Sequence, residues 1–264
     1  MNKKILAILT ALILTLSMTM AACAEEGDHL LARIQQKGEI VVATEGMWAP
    51  WTFHDEQDQL VGFDVEVAQQ IAAKLGVKAT FVECEWDSIF AGLDAKRYDM
   101  AANGVEITDE RAEKYDFTTP YGYIRTALIV RGDNADINAF EDLAGKKTAN
   151  SIASTYMTLA ESYGAEAVGV DTLDQTIDMV LSGRVDATLN AEVSFYDYMR
   201  VHPDANLRVV ALTEEASRVS IPVRKGDDTA SLLQAINQAI DELSESGELS
   251  RISEKYFGSD ISQK

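Results

Sequence analysis

The sequence has few of the residues that build metal sites and disulfide frameworks. Its 264 residues include two cysteines, three histidines and four prolines. Zinc sites combine cysteine and histidine ligands, so this composition disfavours a zinc enzyme. We expect neither a metal site nor another cofactor.

Positive charge is also scarce. Lys and Arg total 23 against 43 Asp and Glu, which gives a formal net charge of −20 at pH 7. The longest basic runs are the pairs Lys3-Lys4 and Lys146-Lys147, which are too short to form a surface that binds a phosphate backbone. We therefore expect no nucleic-acid partner.

The overall composition is that of a globular protein. Hydrophobic residues make up 47% of the chain and charged residues 25%. A chain of this length accommodates two domains of ordinary size, each with its own core.

The N-terminal segment has the composition of an export signal. Lys3 and Lys4 precede an apolar stretch over residues 5–16 that is interrupted only by Thr10 and Thr15, as in secretory signals. This stretch is too short to serve comfortably as a permanent membrane-spanning helix.

The end of this segment, Met20-Ala21-Ala22-Cys23, resembles the bacterial lipobox, in which a signal peptidase cuts before a cysteine that carries diacylglycerol. Met in place of the usual Leu is a departure, and an ordinary cleaved signal with an incidental cysteine is the alternative. The resemblance predicts a lipoprotein signal peptide over 1–22, lipidation of Cys23 and a tether over 23–28. The protein would then be lipid-anchored on the extracytoplasmic face of the cell membrane, with Cys84 unable to form an intramolecular disulfide.

Strand and helix patterns alternate along the next part of the chain. Residues 40–43 form an apolar run typical of a buried strand. A helix follows, with Asp64 as its predicted N-cap, apolar residues at four-residue spacing and a stop at Gly76. A strand over 80–84 and a helix over 87–93 continue the alternation, which predicts an α/β fold with parallel strands.

Two segments repeat one pattern. Residues 93–103 and 181–190 each read as a helix end, a turn, an Asp, a short apolar strand and an Asn. Asn103 and Asn190 would lie at the carboxyl ends of strands, where open α/β sheets bind their ligands. The pattern predicts two similar lobes.

The second lobe would begin with a strand over 126–130 and continue through helices over 154–163 and 171–182. A return strand near 220–223 and an amphipathic helix over 230–243 follow. Periodicity does not decide which lobe this last part joins.

Several segments together resemble the polar amino-acid-binding family (family 3) of bacterial ABC-transporter solute-binding proteins. They are residues 41–53, 61–66, 86–89, 107–111, 116–121 and 141–146. The resemblance implies a two-lobed periplasmic-binding-protein-like fold, each lobe a mostly parallel sheet with flanking helices. Lobe 1 would comprise 29–120 and 220–264, lobe 2 would comprise 126–214, and two hinge strands would lie at 121–125 and 215–219.

The resemblance also implies a function. A polar amino acid would bind between the lobes and select their closed state, and the protein would deliver it, as a monomer, to an ABC permease and its ATPase. The stretches 149–156 and 183–190 are most similar to the cystine-binding branch, so cystine is the favoured ligand, and glutamine, another polar amino acid or a sulfur-containing relative are the alternatives.

Arg111 is the first candidate for the ligand site. It lies in the first turn of a helix that Thr108 is predicted to cap, where a guanidinium can hold a carboxylate in bidentate fashion. In the family, this arginine binds the α-carboxylate of the ligand. The alternative is a surface arginine paired with Asp109 or Glu113.

Further ligand contacts follow from the resemblance. Aromatic side chains would enclose the ligand side chain, a strand end would present backbone groups, and a helix N-terminus would offer hydroxyl and N–H donors. These residues are, respectively, Trp48 and Trp86, Asn103 and Gly104, and Ser154 and Thr155.

Two departures concern the ammonium group of the ligand. Glu106 stands where many relatives have Ser or Thr, and Ala191 stands where many have an Asp that accepts the ammonium. Glu45, Glu106 or Glu192 could replace that Asp, and Glu45 matches a family position that carries an acid. Alternatively, Glu106 points away and Asn190 holds the ammonium together with backbone carbonyls; the sequence leaves these possibilities open.

Two other functions use the same scaffold. One is a periplasmic dehydratase of cyclic carboxylates, and the other is an amino-acid sensor with a different membrane partner. The sequence contains no recognisable arrangement of nucleophile, base and orienting group, so we expect a binding protein and not an enzyme.

Overall fold

The computed structural model of the protein describes residues 29–264. The first part consists of α1 (Leu30–Lys37), β1 (Glu39–Thr44), β2 (Met47–Trp48), β3 (Thr52–His54), β4 (Leu60–Val61), α2 (Phe63–Lys74), β5 (Lys78–Glu83), α3 (Trp86–Asp94), β6 (Met100–Ala101), α4 (Asp109–Lys114) and β7 (Tyr115–Phe117). The second part consists of β8 (Gly122–Ile124), β9 (Thr126–Arg131), β10 (Lys147–Ser151), α5 (Thr155–Ser162), β11 (Glu166–Val170), α6 (Leu173–Leu181), β12 (Ala187–Ala191), α7 (Glu192–Val201), β13 (Leu207–Leu212), β14 (Ser217–Val219), β15 (Pro222–Arg224), α8 (Ala230–Glu245) and α9 (Glu248–Phe257).

The predicted signal peptide over 1–22, Cys23 and the tether over 23–28 lie outside the described residues. Between residues 29 and 264, no helix has the length and apolar character needed to cross a membrane. The expectations about export and lipidation therefore remain predictions.

The first sheet has the strand order β5-β1-β6, and both strand pairs are parallel. Its central strand β1 pairs with β5 from Glu39↔Lys78 to Thr44↔Glu83. Ile40, Val42 and Ala43 are fully buried, as expected for a strand that is covered on both faces. The predicted strand–helix alternation is confirmed here.

Helix α2 begins immediately after Gly62 and not at Asp64. Gly62 has a φ of +134°, and a Cβ at this position would overlap the carbonyl oxygen of Trp51, so only glycine fits. The expectation that Asp64 caps the helix is therefore wrong. Asp64 lies within the first turn, and its carboxyl is fully buried.

The second sheet has the strand order β11-β10-β12-β9-β13. The pairs β10–β11 and β10–β12 are parallel, whereas β9 runs antiparallel to both β12 and β13. Helices α5 and α6 pack against its parallel strands. The predicted α/β class with two lobes is confirmed.

The repeated Asp–Asn pattern corresponds to one local structure that occurs in both sheets. Asp99 Oδ2 accepts a hydrogen bond from Val41 N at 2.8 Å, and Asp186 Oδ2 accepts one from Lys147 N at 2.8 Å. Each Asp also donates its own N–H to the carbonyl of that same residue. Both aspartates thus fix the start of a strand, which directs Asn103 and Asn190 towards the same side of the molecule.

Two short strands connect the sheets. Strands β8 and β14 pair antiparallel from Val219↔Gly122 to Ser217↔Ile124, within the segments 121–125 and 215–219. The chain then returns to the side of the first sheet, where β15 pairs with β7 in a separate two-stranded sheet and α8 and α9 pack on α2. That these strands bend during closure remains a prediction.

An aromatic cluster lies beneath the junction of the two lobes. The ring of Trp51 lies 5.6 Å from Phe63 and 4.9 Å from Phe257 between centroids. Its indole Nε1 donates to Ser194 Oγ in α7 at 3.0 Å. Trp51 is fully buried, so this hydrogen bond joins the lobes in a dry environment.

Candidate functional site

A cavity lies between the lobes at the carboxyl ends of the sheet strands. It is lined by all ten residues that the sequence predicts to contact a ligand: Glu45, Trp48, Trp86, Asn103, Gly104, Glu106, Arg111, Ser154, Thr155 and Asn190. Residues more than 140 positions apart in sequence therefore meet in one place. Their role in ligand binding stays a prediction.

Arg111 is held in position on the lobe 1 side. Its backbone N–H donates to Thr108 Oγ1 at 3.2 Å, as predicted for the helix cap, and its Nη1 donates to the carbonyl oxygen of Glu106 at 2.9 Å. The guanidinium carbon lies 5.1 Å from the ring of Trp86 and 5.3 Å from that of Phe90. These contacts fix the plane of the guanidinium.

The guanidinium of Arg111 is also partly withdrawn from solvent. Burial lowers its pKa, while the nearby Glu106 opposes that shift. In the described part of the chain, neither Asp109 nor Glu113 forms an ion pair with it, so the surface-arginine interpretation is wrong. Several N–H donors are left for a ligand carboxylate.

Two tryptophans form apolar walls of the cavity. Trp86 is in edge contact with Phe90 at 5.8 Å, and Trp48 stacks on Trp51 at 5.2 Å. The backbone of Gly104 lies so close to Trp48 that a Cβ on Gly104 would be 2.6 Å from that ring. The φ of Gly104 is +57°. Only glycine allows the chain to approach the indole so closely.

Glu45 is a carboxyl of the cavity that forms no ion pair with a cationic side chain of residues 29–264. Its Oε2 accepts from Asn103 Nδ2 at 2.5 Å, and its N–H donates to Asn103 Oδ1 at 2.8 Å. Burial raises the pKa of Glu45 to about 7, against a smaller opposing effect of the Asn103 hydrogen bond. A cationic ligand group would relieve this cost.

Glu106 faces the cavity and reaches across it. Its side chain is 6% exposed, and its Oε1 accepts from Thr155 Oγ1 at 2.5 Å. The possibility that Glu106 points away from the cleft is therefore wrong. This hydrogen bond joins a lobe 1 carboxylate to the first residue of α5 in lobe 2.

The other proposed ammonium partners are engaged elsewhere. Glu192 accepts from Arg125 Nη2 at 2.8 Å and from Arg125 Nε at 3.1 Å, and it does not line the cavity. Asn190 Oδ1 already accepts from Trp48 Nε1 at 3.3 Å and from Ala191 N at 2.9 Å. Glu45 and Glu106 are thus the carboxylates that line the cavity.

The N-terminus of helix α5 supplies donors from lobe 2. Ser154 is its N-cap, and Ser154 Oγ accepts from Met157 N at 3.1 Å. The backbone N–H groups of Thr155 and Tyr156 precede the first intrahelical hydrogen bonds. They can stabilise an anionic ligand group, whereas the Thr155 hydroxyl already donates to Glu106.

Five residues that the sequence reasoning missed also line the cavity: Met47, Ser151, Tyr156, Thr172 and Leu173. Ser151 ends β10, and Thr172 caps α6 by accepting from Gln175 N at 3.3 Å. The strand-end argument that selected Asn103 would have found Ser151. No comparable signal distinguishes Met47 or Leu173.

The fold and the cavity together define a two-lobed solute-binding protein. The family model of bacterial extracellular solute-binding proteins, family 3, matches residues 40–259. The chain belongs to this family, which confirms the resemblance inferred from the sequence motifs.

Three relatives illustrate the similarity. The chain is 40% identical over 241 residues to the L-cystine-binding protein TcyA of Bacillus subtilis, covering 91% of this chain and 88% of TcyA. It is similar to an ancestral arginine-binding protein bound to arginine, with a TM-score of 0.78 and 35% identity over 84% of this chain and 99% of that one. It is also similar to the open, unliganded L-cystine receptor of Neisseria gonorrhoeae, with a TM-score of 0.61 and 39% identity over 89% and 99% of the two chains.

Proposed function

We propose that this protein captures a polar amino acid in the inter-lobe cavity and, as a monomer, delivers it to an ABC permease and its ATPase. The presence of Arg111 and Glu45 in one inter-lobe cavity carries the proposal. Arg111 offers N–H donors to a carboxylate, and Glu45 offers an acceptor to an ammonium. An α-amino acid carries both groups on one carbon atom.

L-cystine is the ligand that we favour. TcyA and the gonococcal receptor are both named for L-cystine. Cystine has a second carboxylate, whereas Arg111 is the single Arg or Lys among the described residues lining the cavity. We assign the second carboxylate to the N-terminus of α5, where Ser154 and Thr155 lie.

A thermal-shift screen of the mature protein against L-cystine and the common amino acids tests this proposal. A ligand at a hundredfold excess over its Kd stabilises the folded state by about 2.7 kcal/mol, so the correct amino acid is expected to raise the unfolding midpoint clearly. A midpoint unchanged by every compound would contradict amino-acid binding. A shift with L-arginine or L-glutamine and none with L-cystine would contradict the cystine assignment alone.

The same purified protein distinguishes the alternative functions. Sustained turnover of a cyclic carboxylate such as prephenate, lost in Glu106→Gln, would assign a dehydratase. Copurification with a membrane receptor in place of a permease would assign a sensor. We expect neither result, because Arg111 and Glu45 supply the cavity with one partner for each charged group of an amino acid.

We also propose that Cys23 carries the lipid anchor. Cys23→Ala is expected to move the protein from the membrane fraction to the soluble extracytoplasmic fraction, because two acyl chains are enough for stable anchoring. Immunoblots of separated fractions measure this change. Cys84→Ala is the matched control and should stay on the membrane, since Cys84 lies in lobe 1. Membrane retention of Cys23→Ala would contradict lipidation.

A further inference from the structure

Asp64 connects the cavity to the hinge through its buried carboxyl. The side chain is fully buried in the first turn of α2. Its Oδ2 accepts from the backbone N–H of Gly104, and its Oδ1 accepts from the hydroxyl of Tyr121 at 2.6 Å. Gly104 lines the cavity, and Tyr121 immediately precedes hinge strand β8.

Both partners of Asp64 occupy tightly defined positions. Gly104 lies against the ring of Trp48 in a left-handed conformation. Tyr121 N–H donates to the carbonyl of Val219 at 3.0 Å, the last residue of the second hinge strand, β14. A shift at the hinge is therefore transmitted through one carboxyl to the chain beside the ligand.

Ion pairing does not account for this buried carboxyl. Within residues 29–264, no cationic side chain forms an ion pair with Asp64, and burial raises its pKa to about 7. A carboxyl with a raised pKa is costly to ionise, so it destabilises the folded state at neutral pH. An asparagine at position 64 has the same shape and would remove the cost of ionisation. Its side chain has one acceptor oxygen, however, for the two donors Gly104 N–H and Tyr121 O–H.

We propose that Asp64 is a positioning residue that holds Gly104 and Tyr121 in a fixed relation, so that ligand binding in the cavity is coupled to movement of the hinge. The ligand-dependent part of this proposal rests on the proposed amino-acid-binding function. Asp64 does not line the cavity and acts through its two partners.

Four variants test the proposal with L-cystine as the probe: Asp64→Asn, Tyr121→Phe, the double variant and Ile71→Val as a control. We expect Asp64→Asn to weaken L-cystine binding about tenfold, the size of one lost charge-assisted hydrogen bond, with an unfolding midpoint that is unchanged or higher. The double variant should bind no more weakly than Asp64→Asn, because Tyr121 acts through the same carboxyl.

The control separates positioning from stability. Ile71 is fully buried in the same helix and lies away from the cavity, so Ile71→Val should lower the unfolding midpoint and leave the affinity unchanged. A purely structural role for Asp64 would give that same result. A lower midpoint with wild-type affinity in Asp64→Asn would therefore overturn the proposal.

A measurement without ligand keeps the test independent of ligand identity. Amide hydrogen exchange in Asp64→Asn is expected to accelerate at Gly104 and over 121–125 and to stay unchanged over 232–243 in α8. If Asp64→Asn exchanges at the wild-type rate both at Gly104 and over 121–125, the proposal is overturned. If the wild-type protein binds no amino acid, the proposed function fails, and this exchange measurement still decides whether Asp64 holds the two segments.

Discussion

Arg111→Ala is expected to weaken amino-acid binding about a thousandfold while the protein stays folded. Removing one partner of a buried, hydrogen-bonded ion pair costs roughly 3–5 kcal/mol, and each 1.4 kcal/mol is about a factor of ten. The ligand carboxylate would lose its fixed guanidinium and remain in a cavity lined by Glu106 and Glu45. Isothermal titration calorimetry with L-cystine and with the best ligand from the screen measures the loss.

The folded state should tolerate this change. The Arg111 side chain contacts Trp86 and Phe90, so some packing is lost, but the cost of burying a cation is removed as well. Circular dichroism and thermal unfolding check this. Unchanged affinity in Arg111→Ala would remove Arg111 from the site.

Two further variants define what Arg111 contributes. Arg111→Lys keeps the charge but loses the planar fork, so its affinity should lie between those of wild type and Arg111→Ala. Arg97→Ala removes an exposed arginine that does not line the cavity and should bind like wild type. Equal losses in Arg97→Ala and Arg111→Ala would point to the net charge of the protein and not to a specific contact.

Glu45→Gln is expected to weaken binding about a hundredfold at pH 8 and to remove a pH dependence that the wild type shows. In the unliganded protein, burial raises the pKa of Glu45 from 4.5 to about 7, so below neutral pH the carboxyl is largely protonated. A ligand ammonium favours the ionised form and lowers that pKa. Wild-type affinity should therefore fall about tenfold per pH unit below 7 and level off above it.

The stability of the unliganded protein should depend on pH in the opposite direction from ligand affinity. A carboxyl whose folded-state pKa is raised is more easily ionised in the unfolded chain. Ionisation of Glu45 thus destabilises the folded state progressively between about pH 4.5 and 7. If Glu45 is the ammonium partner, ligand affinity rises with pH over the same range in which the contribution of Glu45 to the stability of the unliganded protein falls.

Two further variants identify which carboxyl causes the pH dependence of ligand affinity. Glu141→Gln changes an exposed glutamate outside the cavity and should keep the wild-type pH profile. Glu106→Gln removes the other cavity carboxyl. If Glu106→Gln loses binding while Glu45→Gln keeps the wild-type pH profile of affinity, Glu106 and not Glu45 is the ammonium partner.

The sequence predicted those strands, caps and turns that depend on residues close together in the chain. The apolar run over 40–43 forms β1, and Thr108 caps α4 as its position before Arg111 indicates. The repeated Asp and Asn of the two lobes mark equivalent strand ends because both turns use the same hydrogen bonds. The choice of cavity residues depended further on the family resemblance.

Long-range contacts explain what was missed. Glu192 is occupied by Arg125, which lies 67 residues away in sequence, so nothing near Glu192 reveals that it is unavailable. The orientation of Glu106 depends on Thr155 of the other lobe. Asp64 has the residue type and place of a helix cap, and only its contacts with Gly104 and Tyr121 show a different role.

The hydrogen bond between Trp51 and Ser194 has a consequence for selectivity. It joins the lobes at 3.0 Å in a buried position outside the cavity, so its atoms touch no ligand. Its contribution to closure is the same for every compound that closes the lobes. We therefore expect this contact to change the affinity for every cargo by one common factor, while the cavity walls determine the ranking among cargoes.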